Sequence, residues 1–263
     1  MRGALPRALW RRLPVTPEEF SVPLGREASF RCSAPAGDAS IRALYWRGIK
    51  GWEPETLLVF RRLVAEAEVF VDVGANKGVF SLVALASSPR LRVEAFEPVD
   101  RVRAALISNL GRNGWLDRAT VHDIALSDRA GTADFLVPTG ALPSSGHLAS
   151  AAYRSSSGTV TTVPVEPLDD VVTGRVDLIK IDVEGAEDAV LRGARRILAE
   201  ERPVLVVECL PEGPYEQVQS ELVSHGYRFA HLTGVGPVDV TDIVPDPTRR
   251  LRNFLCTPDE RPQ

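Results

Sequence analysis

Apolar positions along the chain fall into short runs divided by stretches with helical spacing. Val69–Val73 is a five-residue apolar run bounded by turn residues, and it predicts a strand. A helical pattern follows over residues 78–87 and stops before Pro89. The same unit then recurs. Arg92–Phe96 predicts a second strand, and Asp100 is placed as the N-cap of a helix ending near Gly111, with Val102, Leu106 and Leu110 on one face. Residues 119–124 predict a third strand. Upstream, Trp52-Glu53-Pro54 precedes a helix through about Val64, with Leu57, Leu58 and Leu63 as its buried side. Residues 1–50 lack a sustained period and predict an N-terminal extension with a small hairpin.

The alternation breaks over residues 129–170. Two β-like stretches, 132–137 and 159–165, flank a loop rich in Ser, Gly and Ala. A long polar loop inside a compact domain is commonly a lid or a binding loop. Order returns with a strand over 176–183, a helix over 186–199, a strand over 203–209 and a helix over 214–224. Strands over 227–232 and 253–257 finish the chain. Five β–α units followed by a β pair predict a doubly wound, mostly parallel sheet with an antiparallel edge. The expected division is an extension over 1–50 and one catalytic domain over 51–263, which carries the 129–170 insertion.

Composition narrows the partners. A net charge of −4 over 263 residues gives no electrostatic case for nucleic acid or an anionic membrane surface. Arginine supplies 28 of the 31 basic residues. Cys32, Cys209 and Cys256 show no Cys-x-x-Cys spacing, so neither a disulfide framework nor a zinc site is expected. The basic N-terminus has no apolar core of the signal-peptide kind, and no run approaches the ~20 apolar residues of a membrane span. A cytoplasmic protein is the expectation.

The chemistry starts where the first strand ends. Gly74-Ala75-Asn76-Lys77-Gly78 joins strand to helix, and such a turn lets a ligand approach the main chain. A dinucleotide site would read G-x-G-x-x-G, but Asn76 stands where the middle glycine admits a pyrophosphate. The amino-acid end of S-adenosylmethionine suits Asp72 and Asn76 better. Lys77 reads as a solvated lysine at a helix start. Glu97 ends the second strand, 19 residues after Gly78, where a carboxylate accepts hydrogen bonds from ribose hydroxyls. Asp123 is placed for an adenine amino group, with Ile124 against the ring.

A second segment, Leu178-Ile179-Lys180-Ile181-Asp182-Val183-Glu184-Gly185, sets charge where a buried parallel strand should be apolar. Unpaired buried charge is unfavourable, so these groups have a use. Alternation places Lys180, Asp182 and Glu184 on one side, at the ligand-binding end of the sheet. Glu187 and Asp188 complement the dipole of the next helix and read as structural.

VFVDVGANKGVFSL, VEAFEP, VPVEPLDDVV, VDLIKIDVEGAEDAVLRGA and VLVVEC, in that order, resemble the FkbM-type methyltransferase family. The resemblance runs from about Trp52 to the C-terminus. It implies a class I, Rossmann-like fold with a seven-stranded, mostly parallel sheet whose C-terminal edge is antiparallel. It implies an S-adenosylmethionine-dependent O-methyltransferase acting on a small-molecule hydroxyl, such as a polyketide or sugar in bacterial natural-product biosynthesis. By matching position it supports Asp72, Gly74, Asn76, Gly78 and Glu97 as cofactor contacts and Asp182 as a site residue.

An alcohol is a poor nucleophile, so a base near its proton accelerates the transfer. Asp182, Glu184 and His147, in the Ser-rich loop, are the candidate catalytic residues. Asp182 and Glu184, joined by Glu208, are also compatible with a divalent metal, although none is expected. His122, His225 and His231 read as structural. The alternative function is an NAD(P)-dependent oxidoreductase on a similar sheet, which the missing middle glycine disfavours.

Overall fold

The computed structural model describes residues 13–25, 28–33, 38–138, 147–148 and 158–260. Its centre is an eight-stranded sheet. Five parallel strands form one side: β5 (Ala119–His122), β4 (Arg92–Phe96), β3 (Val69–Val73), β10 (Leu178–Ile181) and β11 (Val204–Glu208), in that spatial order. Beyond β11 come β14 (Asn253–Pro258), β12 (Tyr227–Thr233) and β13 (Gly236–Val240), each antiparallel to its neighbour. β3, β10 and β11 are apolar almost throughout because helices cover both faces.

The α/β architecture is the expected one, and its C-terminal side, β14, β12 and β13, is antiparallel as expected. The sheet has eight strands rather than the seven expected, and β14 lies inside it, between β11 and β12. β14 is largely buried and needs neighbours on both sides. The edge strand β13, Gly-Pro-Val-Asp-Val, is largely exposed and gives no apolar alternation to read.

Four helices pack around the parallel strands: α2 (Pro54–Glu66), α3 (Val79–Ser87), α4 (Asp100–Asn113) and, after β11, the helix Tyr215–Ser224. The single helix expected over 186–199 is two short ones, Glu187–Arg192 and Arg195–Glu200. They divide at Gly193, where a Cβ would lie 2.0 Å from the Ser127 carbonyl oxygen. The Ser127 segment passes too closely there for any side chain.

The described part of the N-terminal region carries more regular structure than its sequence predicts. β1 (Glu19–Pro23) and β2 (Ser29–Ser33) form the expected hairpin, and α1 (Ala39–Arg47) with a turn of 3-10 helix, Gly48–Gly51, follows. Asp38 caps α1 by accepting the Ile41 N–H at 2.9 Å. Phe20, Val22, Phe30 and Cys32 belong to the same buried cluster as Phe60, Phe70 and Phe80. The extension is thus part of the core on that face of the sheet. Cys32, Cys209 and Cys256 are buried and unpaired.

The insertion forms a second, four-stranded sheet. β6 (Ala125–Leu126), β9 (Gly158–Glu166), β7 (Gly131–Pro138) and β8 (His147–Leu148) lie in that order. Its inner residues Phe135, Val137, Val163 and Val165 pack on Val99 and Val102. No described helix is long and apolar enough to cross a membrane.

Candidate functional site

Chain order reverses between β3 and β10, so a crevice opens beyond the carboxyl ends of these strands. A cavity of about 220 Å3 lies there. The turn after β3 makes one wall, and the ends of β10 and β11 make the other.

The first wall is built by main-chain geometry. Gly74 has φ +77°, and a Cβ on it would lie 2.0 Å from the Asp182 carbonyl oxygen. The turn therefore needs glycine in order to pass the β10 chain so closely. The Gly74 and Ala75 N–H groups donate to the Phe96 carbonyl at 3.1 and 2.9 Å, which ties the turn to β4. Asn76, at φ 53°, lines the cavity and donates its N–H to Glu97 Oε2 at 3.1 Å. Glu97 Oε1 accepts the Val99 N–H at 2.9 Å. Each oxygen of Glu97 thus holds one main-chain donor and keeps a second lone pair. Burial pushes its carboxyl up to about 7, against those two donors.

Two residues expected at the ligand stand behind this wall. Asp72 does not line the cavity; it accepts the Ser81 hydroxyl at 2.6 Å and the Ser81 N–H at 3.1 Å, anchoring the start of α3. Burial raises it to about 6. Gly78 is also off the lining; at φ +87° its absent Cβ leaves room for Leu106, whose Cδ1 would be 2.4 Å away. Lys77 corrects the expectation of a solvated lysine. It is 3% exposed and ion-paired with buried Asp38 of the N-terminal extension. Burial opposes ionisation of Asp38, but Lys77, the Ile41 N–H and the Ser40 hydroxyl outweigh it and hold the carboxyl below its usual value.

The adenine-side expectation is also displaced. β5 stops at His122, and the chain turns so that Ala125–Leu126 joins the smaller sheet against β9. Asp123 is consequently exposed, and Ile124 packs against the core behind the cavity. Ala125, Leu126 and Ser127 line the space instead, with Phe96, Phe135 and Val165. These apolar walls suit a flat heteroaromatic ring.

The second wall is built of charge. Lys180 is fully buried, with Nζ 3.2 Å from Asp182 Oδ2 and 5.0 Å from the centre of the Phe80 ring. Glu208, 1% exposed at the end of β11, accepts from Arg252 Nη1 at 3.0 Å. Arg252 also lies 3.7 Å from Glu53 Oε1, and Asn253 donates to the other oxygen of Glu53 at 2.9 Å. Asp182, Glu184 and Glu208 each place a carboxylate oxygen within 4.8 Å of the others. The expected side-by-side placement of Lys180, Asp182 and Glu184 holds, although β10 itself ends at Ile181. Three oxygens at that spacing are a donor set a divalent cation accepts.

These neighbours divide the carboxyls into different protonation states. Burial disfavours the Asp182 carboxylate, but Lys180 beside it prevails and holds its pKa low. Burial, with the Asp182 charge, pushes Glu184 up to about 7 and Glu208 up to about 10. Lys180 stays protonated because Asp182, Glu53 and Glu208 outweigh its own burial. Lys180 thus favours the charged form of Asp182, while burial and the Asp182 charge favour the protonated forms of Glu184 and Glu208.

His147 is not in a loop at the main-chain level: Leu136 pairs with it in the antiparallel β7–β8 ladder. Most of the surrounding loop lies outside the described residues. His122 stacks on Phe96 at 4.3 Å and meets Glu94 at 2.7 Å, and His231 stacks on Phe254 at 4.4 Å. Glu187 accepts the Gly185 N–H at 2.9 Å, and Asp188 pairs with Arg192 at 2.6 Å. Sequence reasoning missed Trp52, Glu53 and Arg252 as lining residues. Glu53 and Arg252 are 199 positions apart, and only the insertion of β14 beside β11 brings them together. The one local sign was Trp52-Glu53-Pro54 itself, a tryptophan and a carboxylate held ahead of a helix-starting proline.

Comparison with known proteins places this site in context. The model of the methyltransferase FkbM domain matches residues 72–229. The chain is 30% identical over 197 residues to the 31-O-demethyl-FK506 methyltransferase FkbM of Streptomyces tacrolimicus, covering 61% of this chain and 72% of that one. It is 29% identical over 167 residues to the 2-O-methyltransferase NoeI of Sinorhizobium fredii, covering 56% and 67%. The crystal structure of a methyltransferase FkbM from Methylobacillus flagellatus shares the fold, with TM-score 0.52 and 20% identity. That match covers 85% of this chain and just over half, 56%, of the other.

Proposed function

The chain belongs to the FkbM methyltransferase family, and on that premise we propose that it transfers the methyl group of S-adenosylmethionine to a hydroxyl of a small-molecule acceptor. The observation that carries this reading is the pairing of two unlike walls around one cavity. Gly74, Asn76 and Glu97 offer a turn and a carboxylate with free lone pairs. Asp182, Glu184 and Glu208 face them with graded proton affinity.

The residues fit the cofactor. Glu97 accepts the ribose hydroxyls with the lone pairs its two main-chain donors leave. Asn76 and the Gly74 turn receive the amino-acid end. Phe96, Leu126, Phe135 and Val165 enclose the base. Asp72 and Gly78 act one step back, by fixing the start of α3 and its approach to α4. When bound, the cofactor supplies a methyl group already activated by its sulfonium.

The protein's own contribution is to align the acceptor oxygen, exclude water and take up a proton. Alignment is worth several kcal/mol. Glu184 takes the proton at its carboxylate: it lines the cavity, and a pKa near 7 suits a base at neutral pH. Asp182, tied to Lys180, holds the position of the acid cluster and its charge. The relatives' names, a 2-O-methyltransferase and a 31-O-demethyl-FK506 methyltransferase, support oxygen as the accepting atom.

Thermal unfolding in the presence of candidate cofactors tests the cofactor assignment. Stabilisation by S-adenosylmethionine and S-adenosylhomocysteine, with none from NAD, is expected. Stabilisation by NAD alone would replace this reading with the oxidoreductase one.

A further inference from the structure

A second cavity of about 1120 Å3 opens beside the first, and Trp52, Glu53 and Arg252 line both. It is a vestibule to the acidic wall. Six of its nineteen lining residues are basic: Arg42, Arg47, Lys50, Arg249, Arg250 and Arg252. The whole chain has 31 basic residues in 263 and a net charge of −4, so this concentration is local. Three acidic residues, Glu53, Glu55 and Asp246, share the lining, so it holds six cationic and three anionic side chains.

Two separately ordered arms supply the cations. Arg42 and Arg47 lie on α1, and Lys50 sits in the 3-10 turn after it. Arg249, Arg250 and Arg252 come from the connection before β14. Asp246 folds that connection: it accepts the N–H groups of Thr248, Arg250 and Leu251 at 2.9, 3.1 and 3.1 Å. The carboxylate keeps its negative charge while it folds this stretch of main chain. Arg249 pairs with Glu212, and Arg252 with Glu208. Among the described residues, Lys50 and Arg250 have no ion-pair partner, and both are exposed.

We propose that the acceptor carries a phosphate group, which this vestibule holds while the acceptor hydroxyl reaches the acidic wall. Five of the six cations are arginine, whose planar fork matches phosphate oxygens two at a time. The charge separation also orients the acceptor. A phosphorylated end is repelled by Asp182 and Glu184 and drawn to the vestibule, so the neutral hydroxyl end points at the methyl donor.

This assignment rests on the methyl-transfer reading, and the test reads the two apart. Inorganic pyrophosphate is titrated calorimetrically into the protein saturated with S-adenosylhomocysteine, at ionic strengths of about 0.05 and about 0.3 M. Binding is expected, weakened roughly tenfold at the higher salt. The double variant Lys50→Glu/Arg250→Glu, both sites exposed, should weaken it by a further factor of about ten or more, with S-adenosylhomocysteine affinity unchanged. Absent pyrophosphate binding, or equal binding by the double variant, overturns the phosphate assignment. Failure of S-adenosylhomocysteine to bind overturns the methyl-transfer reading instead.

Discussion

The two walls of the cavity are made by different physics. Around Gly74, position is set by the main chain: φ +77°, N–H groups tied to Phe96, and a carboxylate, Glu97, whose oxygens each hold a backbone donor. Around Asp182, position is set by side-chain charge: a buried lysine, an arginine and four carboxyls whose proton affinities depend on one another. A wall of the first kind is held in place by the main chain, with Glu97 as its titrating group, which suits binding a constant cofactor. A wall of the second kind responds to protons, which suits chemistry. Substitutions on the two sides should therefore fail in different ways.

The largest effect is expected from Gly74→Ala. Its Cβ would meet the Asp182 carbonyl at 2.0 Å, and its φ lies in the left-handed region. A loss of about 3 kcal/mol or more, or no folded protein, should appear in urea unfolding. On the charged wall, Lys180→Met removes the cation facing Asp182, Glu53 and Glu208. Breaking a buried pair in this way is expected to destabilise by about 3–5 kcal/mol at neutral pH. The deficit should shrink in acid as the orphaned carboxyls take up protons. A deficit constant with pH would mean that charge does not build this wall.

A smaller structural effect and a larger kinetic one are expected from Glu184→Gln. For an acceptor that turns over, kcat should fall about 10²–10⁴-fold with little change in the unfolding midpoint. The Glu184 carboxyl lies above its ordinary value, at about 7, so the active carboxylate is lost as pH falls through that value. With S-adenosylmethionine saturating, so that Glu97 is engaged by the cofactor, wild-type kcat should therefore rise with pH and level off above about 7, and the inflection should vanish in the variant. An inflection that survives would assign the proton to another group.

The same contrast explains what the sequence made legible. β3 and β4 are short, mostly buried runs followed by glycine and glutamate, and their bounds and their place at the cavity are readable from local pattern alone. Asp182 and Glu184 were readable too, because charge in an apolar strand is anomalous. Asp72 shares that anomaly but is satisfied by Ser81, nine residues on, and so belongs to the helix start. Lys77 and Asp38 are 39 positions apart, and neither has a local feature that predicts the other. The displacement from Asp123 and Ile124 to Ala125–Ser127 follows from where β5 stops, and strand ends are set by pairing with β9 rather than by composition. β14 reaches its place between β11 and β12 through long-range pairing, which also brings Arg252 to the site.

The division of labour between the walls is tested most directly by calorimetric titration of S-adenosylhomocysteine into three proteins: wild type, Glu97→Ala and Glu184→Gln. The wild type should bind. Glu97→Ala should weaken binding about 10- to 100-fold, the scale of losing hydrogen bonds to a charged acceptor. Glu184→Gln should stay within about threefold, because its wall serves the acceptor. Unchanged affinity in Glu97→Ala, or a loss in Glu184→Gln as large as in Glu97→Ala, would contradict that division.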